Sequence, residues 1–245
     1  MKAGWSEHIY HHALQRALQA DGIPVFSKPR RTLTHRGVEI HIFEPDIIAW
    51  NEIILELKVL PYRSQFAREH YAQIIHYLKF FQMDLGLLVN FAPTRVYIKR
   101  VIWKEPELDV MEDYRDSLSR LSIPQGNLYQ RLRGALLDIA KQYGLGYADT
   151  IYRKLIEAEL RYQHISVQDE LEVQARWRNR PLALHKTPFM LVADQFLLHI
   201  CSLADYPHLY EFARTKTVLN NLGLEFAILV NFGHKQLQIF GIANE

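Results

Sequence analysis

Apolar positions recur at helical spacing near the start of the chain. Between residues 6 and 20, Tyr10, Ala13, Leu14, Ala17 and Leu18 share one face, and Gly22 and Pro24 stop the run. The period then changes from helical to alternating. Residues 25–33 and 38–43 read as the arms of a hairpin turning at His35, Arg36 and Gly37. Two further strand-like runs, 46–50 and 52–60, flank Asn51. Helical spacing returns over residues 65–81 through Phe66, Ala72, Ile75, Leu78 and Phe81, ahead of strand runs at 86–91 and 96–103. The predicted order is helix, hairpin and strands, helix, strands.

The same order is written a second time. A helical pattern at 148–161 precedes a hairpin at 165–184 around Asn179, then the apolar runs FMLV and QFLLHICSL. A helix over 210–222 and strands at AILVNF and LQIFGI complete it. GWSEHIY, starting at Gly4, recurs as GYADTIY starting at Gly146, an offset of 142 (146 − 4). LLVNF, ending at Phe91, recurs as ILVNF ending at Phe232, an offset of 141 (232 − 91). Two marks so far apart with nearly the same offset point to an internal duplication. Residues 104–143 read as a helical linker, above all LYQRLRGALLDIAKQY. The expected architecture is α/β: a unit at 1–103, the linker at 104–143 and a second unit at 144–245, forming an intramolecular pseudo-dimer.

With 245 residues, 49% apolar and 23% charged, the chain can build a sizeable core in each unit. A formal charge of +2 does not by itself indicate a nucleic-acid partner, so that argument rests on local clusters. A single cysteine, Cys201, excludes an internal disulfide and a multi-cysteine zinc site and suits a reducing cytosol. The first residues carry no apolar signal-peptide core, and no run of about 18 apolar residues reads as a membrane span. The expected setting is cytoplasmic, with no membrane partner.

One apolar run breaks its own rule. In IILELKVL, residues 53–60, Glu56 and Lys58 share a strand face with Ile54, while Leu55, Leu57 and Val59 share the other. Burying an unpaired carboxylate or ammonium costs several kcal/mol or shifts its pKa toward neutrality. Asp46 follows Pro45 with nine residues between it and Glu56, and a tight turn at Asn51 would set the two acids side by side. Two close carboxylates at neutral pH call for a cation, and hard oxygen ligands with open positions suit Mg2+ or Mn2+. A lysine two residues on could orient or deprotonate an attacking water, or stabilise charge developing on phosphorus. A Glu56–Lys58 pair on a solvated strand face, with Asp46 merely ending a strand, accounts for the same residues.

Pro45-Asp46, nine residues, then Glu56-Leu57-Lys58 resembles the signature of the PD-(D/E)xK nuclease superfamily. Gly4-Trp5-Ser6-Glu7-His8-Ile9-Tyr10 resembles the GxxExxY motif of one bacterial family within it. AQIIHYL, GLLVNF and YIKRVI follow in that family's order, so the resemblance covers about residues 4–103. Ala92 departs from it, where the family has glycine after Asn-Phe. The resemblance implies two tandem restriction-endonuclease-like units. It makes Asp46 and Glu56 the metal ligands and Lys58 the catalytic lysine. Glu7 becomes an auxiliary acid acting through water or a second metal, and Gln73 a hydrogen-bonding group toward the site or the substrate backbone. The plainer alternatives are a first-turn helix acid favoured by the dipole and a solvated helix residue.

In the second copy the signature is gone. Asp46 falls on Phe189 (46 + 143), Glu56 on His199 (56 + 143) and Lys58 on Cys201 (58 + 143). Glu7 falls on Asp149 (7 + 142) and Gln73 on Arg214 (73 + 141). This copy is expected to be catalytically dead and retained for packing or substrate binding. With no second thiol and no evident third ligand, His199 and Cys201 are expected to pack rather than to hold a soft metal.

Two basic stretches occupy matching hairpins. KPRR brings Lys28, Arg30 and Arg31, continued by Arg36, and RWRNR brings Arg176, Arg178 and Arg180 with Trp177 for stacking. They could grip phosphates, or serve as solvated edge charges. His8, His11 and His12 have helical spacing without HExxH and are expected on a mixed solvent face, with His11, one turn from Glu7, bordering the site. The expected function is hydrolysis of DNA or RNA phosphodiesters with Mg2+ or Mn2+ at one site, which would cut one strand or single-stranded substrate. The alternative is a non-catalytic nucleic-acid-binding or scaffolding subunit of a larger complex, with a protein partner.

Overall fold

The computed structural model describes residues 4–61, 66–91, 95–114, 117–177 and 180–244. The chain divides into two compact units, Met1–Thr34 with Glu39–Glu105, and His35–Val38 with Pro106–Glu245. The elements of the first stretch run α1 (Glu7–Ala20), β1 (Val25–Ser27), β2 (Arg31–His35), β3 (Val38–Phe43), β4 (Ile47–Ala49), β5 (Ile53–Lys58), α2 (Arg68–Phe81), β6 (Leu85–Phe91) and β7 (Val96–Ile102). Five of these strands form one sheet in the order β1-β4-β5-β6-β7, in which only β5 and β6 are parallel.

Each element has a local cause. The β4–β5 hairpin closes on Trp50 and Asn51, both left-handed (φ 52 and 58), the pair of conformations a tight hairpin requires. α1 lays Leu14 and Leu18 on the sheet face carrying Leu55 and Leu57, in a core with Ile47, Ala49 and Val89. α2 covers the opposite face. There Gly86 lets it approach closely, because a Cβ at that position would stand 2.6 Å from Ile74 Cδ1. The start of the expected helix at Gln65 lies outside the described residues.

Two expectations are corrected. The run 25–33 is not one hairpin arm. Lys28 turns left-handed (φ 46) ahead of Pro29, so β1 joins the main sheet beside β4 and only β2 pairs with β3. The stretch 104–143 is not helical throughout either. It holds β8 (Asp109–Asp113), a 3-10 turn at Leu118–Arg120 and α3 (Ile123–Tyr143). β8 runs parallel to β15 (Gln236–Ala243) and covers what would otherwise be an open sheet edge.

The second unit continues with α4 (Asp149–Tyr162), β9 (Val167–Gln168), β10 (Glu172–Trp177), β11 (Arg180–Lys186), β12 (Met190–Val192), β13 (Phe196–Cys201), α5 (Leu209–Leu222) and β14 (Phe226–Phe232). Its sheet is ordered β8-β15-β14-β13-β12-β9, with β13 and β14 parallel. From β9 to β15 this is the order found from β1 to β7. Asn179, expected at the hairpin turn, lies outside the described residues.

The duplication extends to packing. Tyr10 stacks on Phe91 at 4.5 Å and 7°, and Tyr152 stacks on Phe232 at 4.0 Å and 14°. Gly4 and Gly146 share a backbone conformation open to glycine (φ 97 and 92). The Asn90 side chain accepts from the Leu60 N–H at 2.8 Å, and Asn231 accepts from the Leu203 N–H at 2.7 Å. Among the described residues, no helix is long and apolar enough to cross a membrane.

Candidate active site

The β4–β5 register pairs Ile47 with Leu55, so one step further along the hairpin Asp46 comes opposite Glu56. Asp46 is held at three points. Its carboxylate accepts from the Leu57 N–H at 2.8 Å, and its carbonyl accepts from the Lys28 N–H and from His11 Nε2, both at 2.9 Å. His11 is therefore buried and not part of a solvent face, which corrects that expectation, and it borders the site as its place one turn from Glu7 suggests. His8 and His12 stay exposed and lie 3.1 Å apart.

Glu56 is only 3% exposed. Its Oε1 accepts from Lys58 Nζ at 2.6 Å, and its Oε2 is buried without a hydrogen-bond partner among the described residues. Burial and the negative charge of Asp46 push the carboxyl up to about 7, against the opposing pull of Lys58. The solvated-face alternative does not describe this residue. A buried, unpartnered carboxylate oxygen next to a second carboxylate is a place where a hard cation would relieve both.

Glu7 stands exposed in the first turn of α1, yet its charge adds to the rise at Glu56. It does not complete a tight three-ligand cluster with Asp46 and Glu56 among the described residues. Gln73, half-buried on α2, donates from Nε2 to the Tyr77 hydroxyl at 3.0 Å. Burial pushes the Tyr77 phenol up to about 12, and the charges of Glu56 and Asp46 add to the effect. Tyr77 is thus a site residue that sequence reasoning missed. The available signal was its place one helical turn beyond Gln73.

In the second unit β12 and β13 repeat the hairpin register, with Met190 paired to Leu198. One step further, Phe189 comes opposite His199, their rings 4.3 Å apart. The Arg214 guanidinium lies over Phe189 at 5.3 Å. These are the positions that the duplication assigns to Asp46, Glu56 and Gln73. The structure adds a neighbour the sequence did not reveal: Glu211, on the first turn of α5, brings its Oε2 to 3.5 Å from His199 Nε2.

Of the basic residues, Lys28, Arg30, Arg31 and Arg180 are exposed. Arg31 also lies over the Phe81 ring at 5.5 Å. Arg36 is engaged: its Nε donates to Glu159 at 2.7 Å, its Nη2 at 3.2 Å, and its guanidinium stacks on Tyr162 at 4.2 Å. Arg176 belongs to β10, and Arg178 lies outside the described residues, as does Ala92.

Comparison with curated proteins returns no match. Among solved structures, the crystal structure of SSO0001 is similar at 21% identity, with a TM-score of 0.33, over 39% of this chain and 48% of the other. The chain thus spans about half the length of that relative. A family model for the PD-(D/E)XK nuclease superfamily matches residues 1–101 and again 127–240, so it finds the fold twice in one chain. With the aspartate, glutamate and lysine gathered at one hairpin of the first copy, and both copies matched, the chain belongs to the PD-(D/E)XK nuclease superfamily.

Proposed function

We propose that the first unit is a metal-dependent nuclease of the GxxExxY type, hydrolysing DNA or RNA phosphodiester bonds at one site. The observation that carries this reading is the buried, unpartnered Oε2 of Glu56 beside Asp46, with Lys58 2.6 Å from the other oxygen. The donor set is all oxygen and fits Mg2+ or Mn2+, held by Asp46 and Glu56. When bound, such an ion supplies charge neutralisation for the two carboxylates and Lewis acidity toward a phosphoryl oxygen.

The remaining steps fall to the chain's own groups. The Leu57 N–H fixes one oxygen of Asp46, so that carboxylate is aimed before any ligand arrives. Lys58 Nζ is placed to orient the attacking water or to face the charge that builds on the phosphorus oxygens. Glu7 reaches the site through water or a second ion. Gln73, steadied by Tyr77, binds the substrate backbone. Lys28, Arg30 and Arg31 take up phosphates, Lys28 rising from the residue whose amide holds the Asp46 carbonyl. Arg176, Arg178 and Arg180 offer a second basic hairpin. With one competent copy, the product is a single-strand cut.

The test is a pool of labelled single-stranded and duplex DNA and RNA, incubated with Mg2+ or Mn2+ beside Glu56→Gln and an EDTA control. Cleavage by the wild type alone, abolished by EDTA, is the expected result and identifies the substrate class. A second reading, a non-catalytic binding or scaffolding subunit with a protein partner, draws on the second unit, which keeps the fold with Phe189, His199 and Cys201 at the site positions. Silence across the pool, with no Mg2+ or Mn2+ bound, would establish that reading instead.

A further inference from the structure

Where the first unit carries Glu56 and Lys58, the second carries His199 and Cys201, and α5 sets Glu211 across from them. One ligand atom from each lies within 4.8 Å of the other two, and no other such trio occurs among the described residues. Cys201 Sγ is 3.4 Å from His199 Nε2, and Glu211 Oε2 is 3.5 Å from the same nitrogen. A tetrahedral zinc ion, with Zn–S near 2.3 Å and Zn–N and Zn–O near 2.0–2.2 Å, holds such pairs about 3.6 and 3.4 Å apart. Both of these pairs already stand within a few tenths of an ångström of that spacing, and Cys201 Sγ and Glu211 Oε2 lie within 4.8 Å of each other.

The histidine is also turned the right way. Thr215 has one hydroxyl hydrogen and donates it to the Glu211 carbonyl at 2.7 Å. Its oxygen is then left to accept from His199 Nδ1 at 2.8 Å. The proton therefore sits on Nδ1, and the Nε2 lone pair faces Cys201 and Glu211. Metal-ligating histidines characteristically make this outer hydrogen bond through the second nitrogen. A thiolate, a carboxylate and a neutral imidazole sum with a divalent ion to zero charge, which suits a mostly buried position. Thiolate and imidazole select a borderline ion such as Zn2+ over Mg2+.

We propose that the second unit binds one Zn2+ ion on His199 Nε2, Cys201 Sγ and Glu211 Oε2, with water at the fourth position, as a clamp between β13 and α5. Binding releases the thiol proton to solvent and forms the Zn–S bond, with no change of oxidation state. The proposal is independent of whether the first unit cleaves.

The test uses the full-length protein, stripped with chelator and titrated with Co2+ and then Zn2+. Cys201 is the chain's single cysteine, so a thiolate-to-cobalt charge-transfer band reports this site alone, whatever binds at Asp46 and Glu56. The band is expected to saturate at one equivalent, to be displaced by Zn2+ and to be missing in Cys201→Ser. Thr215→Val keeps every ligand but removes the outer hydrogen bond, and should weaken Zn2+ binding roughly 10–100-fold. If Cys201→Ser does not fold, Glu211→Gln tests the same site through lost Zn2+ affinity. No charge-transfer band in folded wild type at excess Co2+, or unchanged Zn2+ affinity in Glu211→Gln, overturns the proposal.

Discussion

Glu56→Gln separates the energetics of the first site from its chemistry. In the metal-free chain, burial and Asp46 raise the Glu56 carboxyl from 4.5 to about 7. At about 1.36 kcal/mol per pH unit, ionising it costs roughly 3 kcal/mol more in the folded protein than in the unfolded chain. An acid whose pKa rises on folding favours the folded state fully below its unfolded value, and that advantage is lost as pH rises through the folded value. Gln matches the protonated acid in shape and cannot ionise. In EDTA, the variant and wild type should therefore be equally stable near about pH 4.5, and the variant should gain roughly 3 kcal/mol on wild type above about pH 8. Lys58 is already included, because its attraction acts against the rise. Urea unfolding followed by tryptophan fluorescence measures the effect. Trp5, Trp50 and Trp103 lie in the first unit and only Trp177 in the second. Adding Mg2+ at the higher pH should stabilise wild type and leave the variant unchanged. A stability difference independent of pH, or a variant less stable than wild type at high pH, would refute the reasoning.

Three further outcomes are expected. Lys58→Met should slow hydrolysis roughly 10²–10⁴-fold while Mg2+ binding, followed by calorimetry, persists; loss of both would make Lys58 a support of the metal site. Gly86→Ala places a Cβ 2.6 Å from Ile74 Cδ1 and 2.8 Å from its Cγ1, and should cost the first unit roughly 1–3 kcal/mol in urea unfolding. Asn231→Leu strips the Leu203 N–H of its acceptor and should cost about 1–3 kcal/mol for that group alone, visible as faster amide exchange at Leu203.

The repeat, the element order and the acid pair were legible because each is a short-range pattern. Alternation on β5 and a left-handed turn at Trp50 and Asn51 together fix which residue faces Glu56, and that residue is Asp46. Tertiary partners left no such trace. β8 is a short acidic run that becomes a strand only because β15 offers it an edge. Arg36 reads as a phosphate ligand until Glu159, 123 positions away, is found bonded to it. Glu211 is an ordinary first-turn helix acid in the sequence, and only the seating of α5 against β13 makes it a third ligand for His199 and Cys201.

What the two copies share and where they differ sorts fold from function within a single chain. Both keep the left-handed glycine, the stacked Tyr–Phe pair and the asparagine that ties down the loop after the central strand. Each of these removes a local cost or fills core space, so each stabilises whichever copy carries it. The acids behave in the opposite way. Phe189 and His199 pack with tilted rings where Asp46 and Glu56 repel, and burial with the nearby Arg214 charge pushes His199 down to about 3, so that pair stays neutral at physiological pH. In spite of its bond to Lys58, a carboxylate pushed up to about 7, with one oxygen buried and unpartnered among the described residues, costs the fold stability as pH rises. A bound cation would offset that cost, and stabilisation of wild type by Mg2+ at high pH, absent in Glu56→Gln, measures the offset directly.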